Sequence, residues 1–394
     1  MTIRNLTNQR LEKHNQIVNE FKSRYYGEEL HEATKTNINV IAIYLPQFHP
    51  FPENDRAWGK GFTEWTNVAS SAPRFVGHQQ PILPSDLGFY DLRIPGKIKE
   101  QVKLANKYGI TGFDFYYYWF SGLKIMEMPI RTFLKDKTID FKFSLTWANE
   151  NWARVWNDEP KNVIIKQEYK KDDALNFIKD IENYLLDGRY IRIEGKPLIT
   201  IYRPSDIPQL AKVILTWRKY WREKHHEELY IAYVANFARI DKKEYGFDAE
   251  RGFLPLNFHV YSHDDMGVKI KKNQLLDPNF SGEVRDMKKI YCEYTKKYLA
   301  SDDTRFKCLS PSWDNQARRK GVKGLTFINS SPKLYENTLR QIIARERKHY
   351  DDKDIYIYIN AWNEWAEAAA LEPSQNLGHA HLVATSKAIT NGAR

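Results

Sequence analysis

The sequence predicts an α/β fold of the (β/α)8 TIM-barrel class, with long βα loops and an N-terminal helical extension, and three observations carry that expectation. Short apolar segments alternate with stretches of helical periodicity, as parallel strands joined by crossover helices require. Eight such segments occur, the number that closes a parallel sheet on itself and leaves no exposed edge. Polar and aromatic residues gather just past the segment ends, where a parallel barrel places its reactive groups.

The elements follow in order. Residues 8 to about 34 read as a charged helix with apolar Leu11, Ile17, Val18 and Phe21, ahead of any strand signal, so the chain divides into a helical extension at 1–36 and a barrel at 37–394. The strand candidates are VIAIYL (40–45), ITGFDFYYYW (110–119), FKFSLTWA (141–148), PLITIY (197–202), LYIAYVA (229–235), FDAERGF (247–253), RFKCLSP (305–311) and IYIYINAW (355–362). Amphipathic helices are expected at 96–109, 172–186 and 331–350. Two connections, 46 to about 95 and about 254 to 304, exceed simple βα loops, and long ordered loops are commonly functional. The competing architecture, a doubly wound open sheet, wants a Gly-rich phosphate turn after the first strand, where LPQFHPFP stands instead.

Composition narrows the function classes. Aromatic residues make up 14% of the 394, and flat amphipathic rings suit sugar faces, nucleobases or protein partners as well as a Tyr-rich core. A net charge of +10 permits attraction to nucleic acid, anionic lipid or an acidic polymer but requires none. The basic residues are scattered, and short runs such as Lys269 to Lys272 and Arg318 to Lys320 read as solvated helix faces, so nucleic-acid binding is not inferred. Cys292 and Cys308 are too few for a disulfide framework or a paired zinc motif. The first thirty residues lack the apolar stretch of a signal peptide and no run reaches membrane-span length, so a cytoplasmic protein without a transmembrane segment is expected. His379 and His381 form an H-x-H pair, with His49, His78 or Asp314 as conceivable companions, but two nearby His in a polar loop are ordinarily unliganded; neither a metal nor an organic cofactor is expected.

The chemistry-bearing residues lie at strand ends. Gln47 and His49 follow the first strand, Trp119 ends the second, and Asn149, Glu150, Asn151 and Trp152 follow the third. Trp313, Asp314 and Asn315 follow the seventh and WNEWAE the eighth, while Tyr202 ends the fourth. Carboxylates and amides hold hydroxyls in specific directions and indoles stack on sugar C–H faces, which is the equipment of a glycan site. Within the run Tyr116 to Trp119, strand alternation lets either Tyr116 and Tyr118 or Tyr117 and Trp119 share the lumen. Glu364 and Glu367 are the expected catalytic pair: three apart, they are neighbours if a helix starts there, and their repulsion raises at least one pKa so that one acts as acid and the other as base. Two carboxyls flanking a scissile bond stand about 5–5.5 or 6.5–9.5 Å apart on opposite sides of the sugar. Sequence neighbours fit one side better, which points to the sugar's own hydroxyl as nucleophile. Glu64, Glu150, Asp314 and Glu372 compete for either role, with Glu150, Asn363 and Glu372 assigned to substrate binding.

Taken in order, YLPQFHPFPENDRAWGKGFTEWTNV, HQQPILPSDLGFYDLR, YGITGFDFYYYWF, TWANENWARVW, GKPLITIYRP and NAWNEWAEAAALEP resemble the WbsX-like family of lipopolysaccharide and O-antigen biosynthesis proteins, related to the family 99 glycoside hydrolases. The match covers most of residues 38 to 385. The resemblance implies a barrel with its active site at the strand C-termini. It also implies that Glu364 draws the proton from the sugar 2-hydroxyl as a 1,2-anhydro-type intermediate forms, and that Glu367 protonates the leaving oxygen and then activates water. Tyr44, Gln47, His49, Trp65, Asn149, Glu150, Trp152 and Trp313 match family positions that line the pocket. The sequence departs from the family at Tyr117, where His is frequent, and at Ala368-Ala369-Ala370, where Gly and a bulkier residue are frequent; both changes bear on the sugar accepted. The expected activity is a retaining, endo-acting glycoside hydrolase on a bacterial surface polysaccharide or oligosaccharide. The alternatives are a glycosyltransferase or transglycosylase of O-antigen assembly, which the family label and the missing signal peptide favour, and a non-catalytic carbohydrate-binding barrel.

Overall fold

A computed structural model describes residues 3–28, 37–154, 162–236, 239–256, 266–319 and 324–391. All eight expected strands form: β1 Asn39–Tyr44, β2 Gly112–Phe120, β3 Lys142–Trp147, β4 Lys196–Ile201, β5 Tyr230–Val234, β6 Ala249–Arg251, β7 Lys307–Leu309 and β8 Tyr356–Ile359. They pair in parallel in the order β6-β5-β4-β3-β2-β1-β8-β7. The gap between β6 and β7 is closed by a parallel bridge from Arg251 to Phe306 and by the amides of Gly252 and Leu254, which donate to Phe306 and Cys308 carbonyls at 2.9 and 3.0 Å. A ring of eight is thereby complete, and the doubly wound alternative is excluded.

Crossovers carry α2 Lys97–Lys107 and α3 Met128–Lys135 around β2, α4 Asp173–Leu185 before β4 and α5 Leu210–His225 before β5. Then come α6 Met287–Glu293 before β7, α7 Gln316–Arg319 and α8 Pro332–Glu346 before β8, and α9 Ala380–Asn391 at the end. The helices expected at 96–109, 172–186 and 331–350 thus appear as α2, α4 and α8, each trimmed at its ends. The start of α8 shows why: Ser331 accepts the Leu334 amide at 3.2 Å and Pro332 occupies the first turn, where its missing N–H costs nothing. The N-terminal helix, α1, runs from Ile3 to Tyr25, and residues 29–36 of the expected extension lie outside the described residues. It rests on both long connections, with His14 accepting the Gly77 amide of the loop after β1 at 3.2 Å and Arg10 donating to the Leu275 carbonyl of the loop after β6 at 3.0 Å.

Strand parity positions the site. Every residue of β1 and β2 is buried, because one face meets the barrel interior and the other the helices. On β2, Asp114 faces inward, accepting from Ser144 at 2.7 Å, Thr146 at 2.5 Å and Arg251 at 2.5 Å across the lumen. Asp114 and Arg251 are both fully buried, and breaking such a pair by removing one partner costs about 3–5 kcal/mol. Alternation therefore sends Tyr116 and Tyr118 inward above this layer and Tyr117 and Trp119 outward. Trp119 accordingly packs against Trp147 and Phe177 of α4, and the Tyr117 hydroxyl donates to Asp180 at 2.5 Å.

Candidate active site

A cavity of about 500 Å3 opens at the C-terminal end of the barrel, and every strand contributes to it. Gln47 comes from beyond β1, Tyr116 and Tyr118 from β2, and Glu150 and Asn151 from beyond β3. Tyr202, Arg203 and Asp206 follow β4, Asn236 follows β5, and Phe253 follows β6. Trp313, Asn315, Arg318 and Arg319 follow β7, and Glu364 and Glu367 follow β8. The indole N–H of Trp313 is buried and finds no hydrogen-bond partner among the described residues.

The two glutamates reach the cavity through a tight local structure, not the helix start that their spacing allowed. Asn363–Glu364 pairs antiparallel with Ala369–Ala370, and the intervening Trp365–Glu367 forms one 3-10 turn, in which side chains three apart eclipse. Ala368 adopts φ 52°, reversing the chain to bring the ribbon back. Asn363 locks this ribbon to β1: its side chain accepts the Leu45 amide at 2.7 Å and donates to the Leu45 carbonyl at 3.0 Å.

Arg318 joins the acids. Its Nη2 donates to Glu364 Oε2 at 2.7 Å, its Nη1 to Glu367 Oε1 at 2.6 Å and its Nε to Glu64 Oε2 at 3.0 Å. The loop carrying it is held by Asp314, which accepts the Gln316 amide at 2.9 Å at the start of α7 and is itself gripped by His78 at 2.5 Å and Gln80 at 2.9 Å. The Asp314 amide donates to the Glu367 carbonyl at 2.7 Å, which ties the arginine loop to the acid loop.

The electrostatics follow from that arrangement. Burial pushes the Glu364 carboxyl up to about 8, with Arg318 opposing and Glu367 and Glu64 adding to the rise. Burial also raises Glu367, against Arg318. For Arg318, burial works against the charge, but Glu64, Glu364 and Glu367 outweigh it and hold the guanidinium protonated well above its usual range. One cation among three buried carboxylates leaves an excess negative charge, so the cluster retains a proton at neutral pH, shared by the coupled pair. Glu150 is pushed up to about 7, again by burial, with Arg203 opposing at 3.6 Å. The cavity therefore offers proton donors and acceptors near neutrality on two walls.

Of the residues singled out from sequence, Gln47, Tyr116, Tyr118, Glu150, Asn151, Tyr202, Trp313, Glu364 and Glu367 line the cavity. The others stand behind it. Tyr44 faces outward from β1, donating to Gln101 of α2 at 2.7 Å. Trp65 packs beneath the acid loop against Trp365, its N–H donating to the Tyr90 carbonyl at 2.7 Å. Trp152 backs Tyr118 and donates to Asn54 at 3.1 Å. Asn149 clamps the β3 loop to the β4 loop, donating to the Arg203 carbonyl and accepting its amide, both at 2.8 Å. Glu372 is a buried hub that accepts from Tyr90, Gln101 and Trp365 at 2.9, 2.7 and 2.6 Å, and burial raises it to about 7. His49 is buried against Phe51, with its pKa lowered to about 4 by desolvation.

The expected solvated face at Arg318 to Lys320 fails at Arg318, whose side chain is 8% exposed, because the carboxylates of three distant segments converge on it; Lys320 lies outside the described residues. Arg203, Asp206, Asn236, Phe253 and Arg319 also enter the lining without having been singled out. Among the described residues no group of three or more His, Cys, Asp or Glu is placed to hold a metal. His379 is occupied by Asp86 and Tyr108 at 2.8 and 2.9 Å, and His381 packs on Tyr335. No helix among the described residues is long and apolar enough to cross a membrane.

Fold and site together define a (β/α)8 barrel with an acid-lined cavity at its strand C-termini. The chain belongs to the WbsX family: the family described as "Glycosyltransferase WbsX" matches residues 40–385. It is 42% identical over 351 residues to proteins named WxcX, uncharacterized, from two strains of Xanthomonas campestris pv. campestris, covering 89% of this chain. The chain spans about half the length of these relatives, at 49%. Among solved structures, the GH99 endo-alpha-mannosidase from Bacteroides thetaiotaomicron aligns with TM-score 0.56 at 12% identity, over 91% of this chain and 98% of that one. A glycoside hydrolase-like protein aligns with TM-score 0.55 at 14% identity, over 95% and 99%. At these identities the likeness is one of fold, and it extends over the whole barrel.

Proposed function

We propose that this protein is a retaining, endo-acting glycoside hydrolase of a bacterial surface polysaccharide of O-antigen type. The observation that carries the reading is the side-by-side presentation of Glu364 and Glu367 on one turn at the cavity wall, both bonded to Arg318. Carboxyls on one side of a sugar do not flank its scissile bond. They reach the leaving oxygen and the adjacent 2-hydroxyl instead.

In the resulting sequence, Glu364 takes the 2-hydroxyl proton, the freed oxygen bonds to C1, and the C1–leaving-group bond breaks as Glu367 delivers a proton to the departing oxygen. Water, deprotonated by Glu367, then opens the three-membered ring at C1 while Glu364 returns its proton to O2. Two inversions give retention. Burial holds a proton more firmly on Glu364, whereas the family resemblance gives Glu367 the acid role; in a coupled pair the bound hydroxyl decides which oxygen carries it. The route needs a free 2-hydroxyl trans to the leaving group, as in α-manno or α-rhamno sugars, and the endo mode follows the resemblance. Tyr116, Tyr118 and Trp313 supply ring faces, and Glu150, Asn151 and Gln47 the directional contacts.

The family's description favours glycosyl transfer as a second reading. Incubating the wild type, Glu364→Gln and Glu367→Gln with O-antigen and mannan-type polysaccharides, without nucleotide sugar, separates the two. Oligosaccharide release by the wild type that vanishes in both variants is the expected result. Intact polymer, extended only once a nucleotide sugar is added, would establish transfer. Unchanged binding with no turnover under either condition would leave a carbohydrate-binding barrel.

A further inference from the structure

The cavity's charges are almost all matched internally. Arg318 holds Glu364 and Glu367, and Arg203 holds Asp206 at 2.8 Å and Glu150 at 3.6 Å. Among the described residues the exception is Arg319, which lines the same cavity next to the acid pair but makes no ion pair or hydrogen bond with any of them. Burial and Arg318 both work against its charge, and Glu367 favours it only from a distance. A half-buried guanidinium aimed into a binding cavity with no anion to answer it is a recognition element, because its fork of donors matches an oxyanion bidentately.

A second, shallower pocket shares Val163 with the first and presents Arg154, whose side chain has no ion pair or hydrogen bond among the described residues, beside Arg56, which is paired with Glu53 at 2.9 Å. An unanswered cation therefore recurs along one continuous surface, on a chain whose net charge is +10.

We propose that the glycan bound here is acidic: the sugar unit beside the Glu367 end of the cavity carries an anionic substituent, a carboxylate or a phosphate, that Arg319 binds, and the chain continues past Val163 toward Arg154. This rests on reading the cavity as a glycan site but not on what the site does to the glycan. The anion determines which polymer is accepted, while Glu364 and Glu367 act on the bond.

Binding is measured with the Glu364→Gln protein, so that cleavage plays no part, by affinity electrophoresis at 150 mM salt. The gels contain polygalacturonate or its carboxyl-reduced form, and yeast phosphomannan or its dephosphorylated mannan. Arg319→Gln, Arg319→Lys and, as an equal charge loss at an exposed position of α5 outside both pockets, Lys219→Gln are compared after melting curves establish that each is folded. The expected result is retardation by at least one charged polymer, lost on removing its charge. Retardation should weaken about ten-fold or more in Arg319→Gln, as for a charge-assisted hydrogen bond, recover partly in Arg319→Lys and stay unchanged in Lys219→Gln. The polymer that responds distinguishes carboxylate from phosphate. Equal retardation by charged and neutral forms, no retardation at all, or an effect of Lys219→Gln as large as that of Arg319→Gln would overturn the proposal. A wild type that binds in this way yet cleaves nothing would sink the hydrolase reading and leave the acidic ligand standing.

Discussion

Replacing Arg318 with Met keeps much of the side-chain volume and removes the guanidinium that holds Glu64, Glu364 and Glu367 at 3.0, 2.7 and 2.6 Å. Removing one partner of a buried ion pair costs about 3–5 kcal/mol, and here three carboxylates lose their shared cation at once. The loss should depend on pH in a definite direction. Buried carboxyls without a counter-ion escape by keeping protons, so the folded-state pKa values of Glu364 and Glu367 rise further above the unfolded value of about 4.3. Groups raised in the folded state contribute their stability below the unfolded pKa and lose it as pH climbs toward the folded one. Urea unfolding should therefore show the variant less stable than the wild type by about 3–5 kcal/mol at pH 8, with the difference shrinking as the pH falls toward 4.5. A deficit of equal size at both pH values would show that Arg318 acts by packing alone. No deficit would mean that the carboxylates do not depend on it.

Three further outcomes follow from the same contacts. Glu364 sits at about 8 in the folded protein against an ordinary 4.5, so it withdraws stability as pH rises between those values; Glu364→Gln should flatten that part of the wild-type stability–pH curve, measured by thermal melting. Asn363→Ala strips partners from both the buried amide and the buried carbonyl of Leu45 and should cost about 1–3 kcal/mol in urea unfolding, with glycan cleavage falling as the acid ribbon loosens. A Cβ on Gly112 would stand 2.9 Å from both the Ile41 side chain and the Lys142 carbonyl, so Gly112→Ala should destabilise by about 1–3 kcal/mol as β1, β2 and β3 move apart.

The barrel was legible because its strands are buried on both faces and so read as unbroken apolar runs between helical periods. That same property hid the site's finer geometry. In GFDFYYYWF both faces are rich in aromatics and buried, so the pattern alone did not decide whether Tyr116 and Tyr118 or Tyr117 and Trp119 face the lumen; the pairing of Asp114 with Arg251 across it decides. Tyr44 and Trp119 fall behind the cavity for this reason, and Asn149, Asn363 and Glu372 because their hydrogen-bonding groups serve loop-to-loop contacts.

The acid pair was legible because its two members are local, three residues apart. Arg318 was not, since its function is defined by Glu64, 254 residues away, and by Glu364 and Glu367, nearly fifty away. Within NQARRK nothing distinguishes a guanidinium buried among carboxylates from one on a solvated face. The one local signal was its place just past β7, beside Trp313 and Asp314.

In the proposed route the sugar's own hydroxyl is the nucleophile, which can be tested with two cleavable glycosides that differ only in a hydroxyl or a hydrogen at C2. The wild type should release product from the parent and none from the 2-deoxy analogue, although the missing oxygen makes the analogue's glycosidic bond intrinsically easier to break. Cleavage of the analogue at a rate comparable to the parent's would mean that a protein carboxylate or water attacks C1 directly, and the paired acids on one turn would need another explanation.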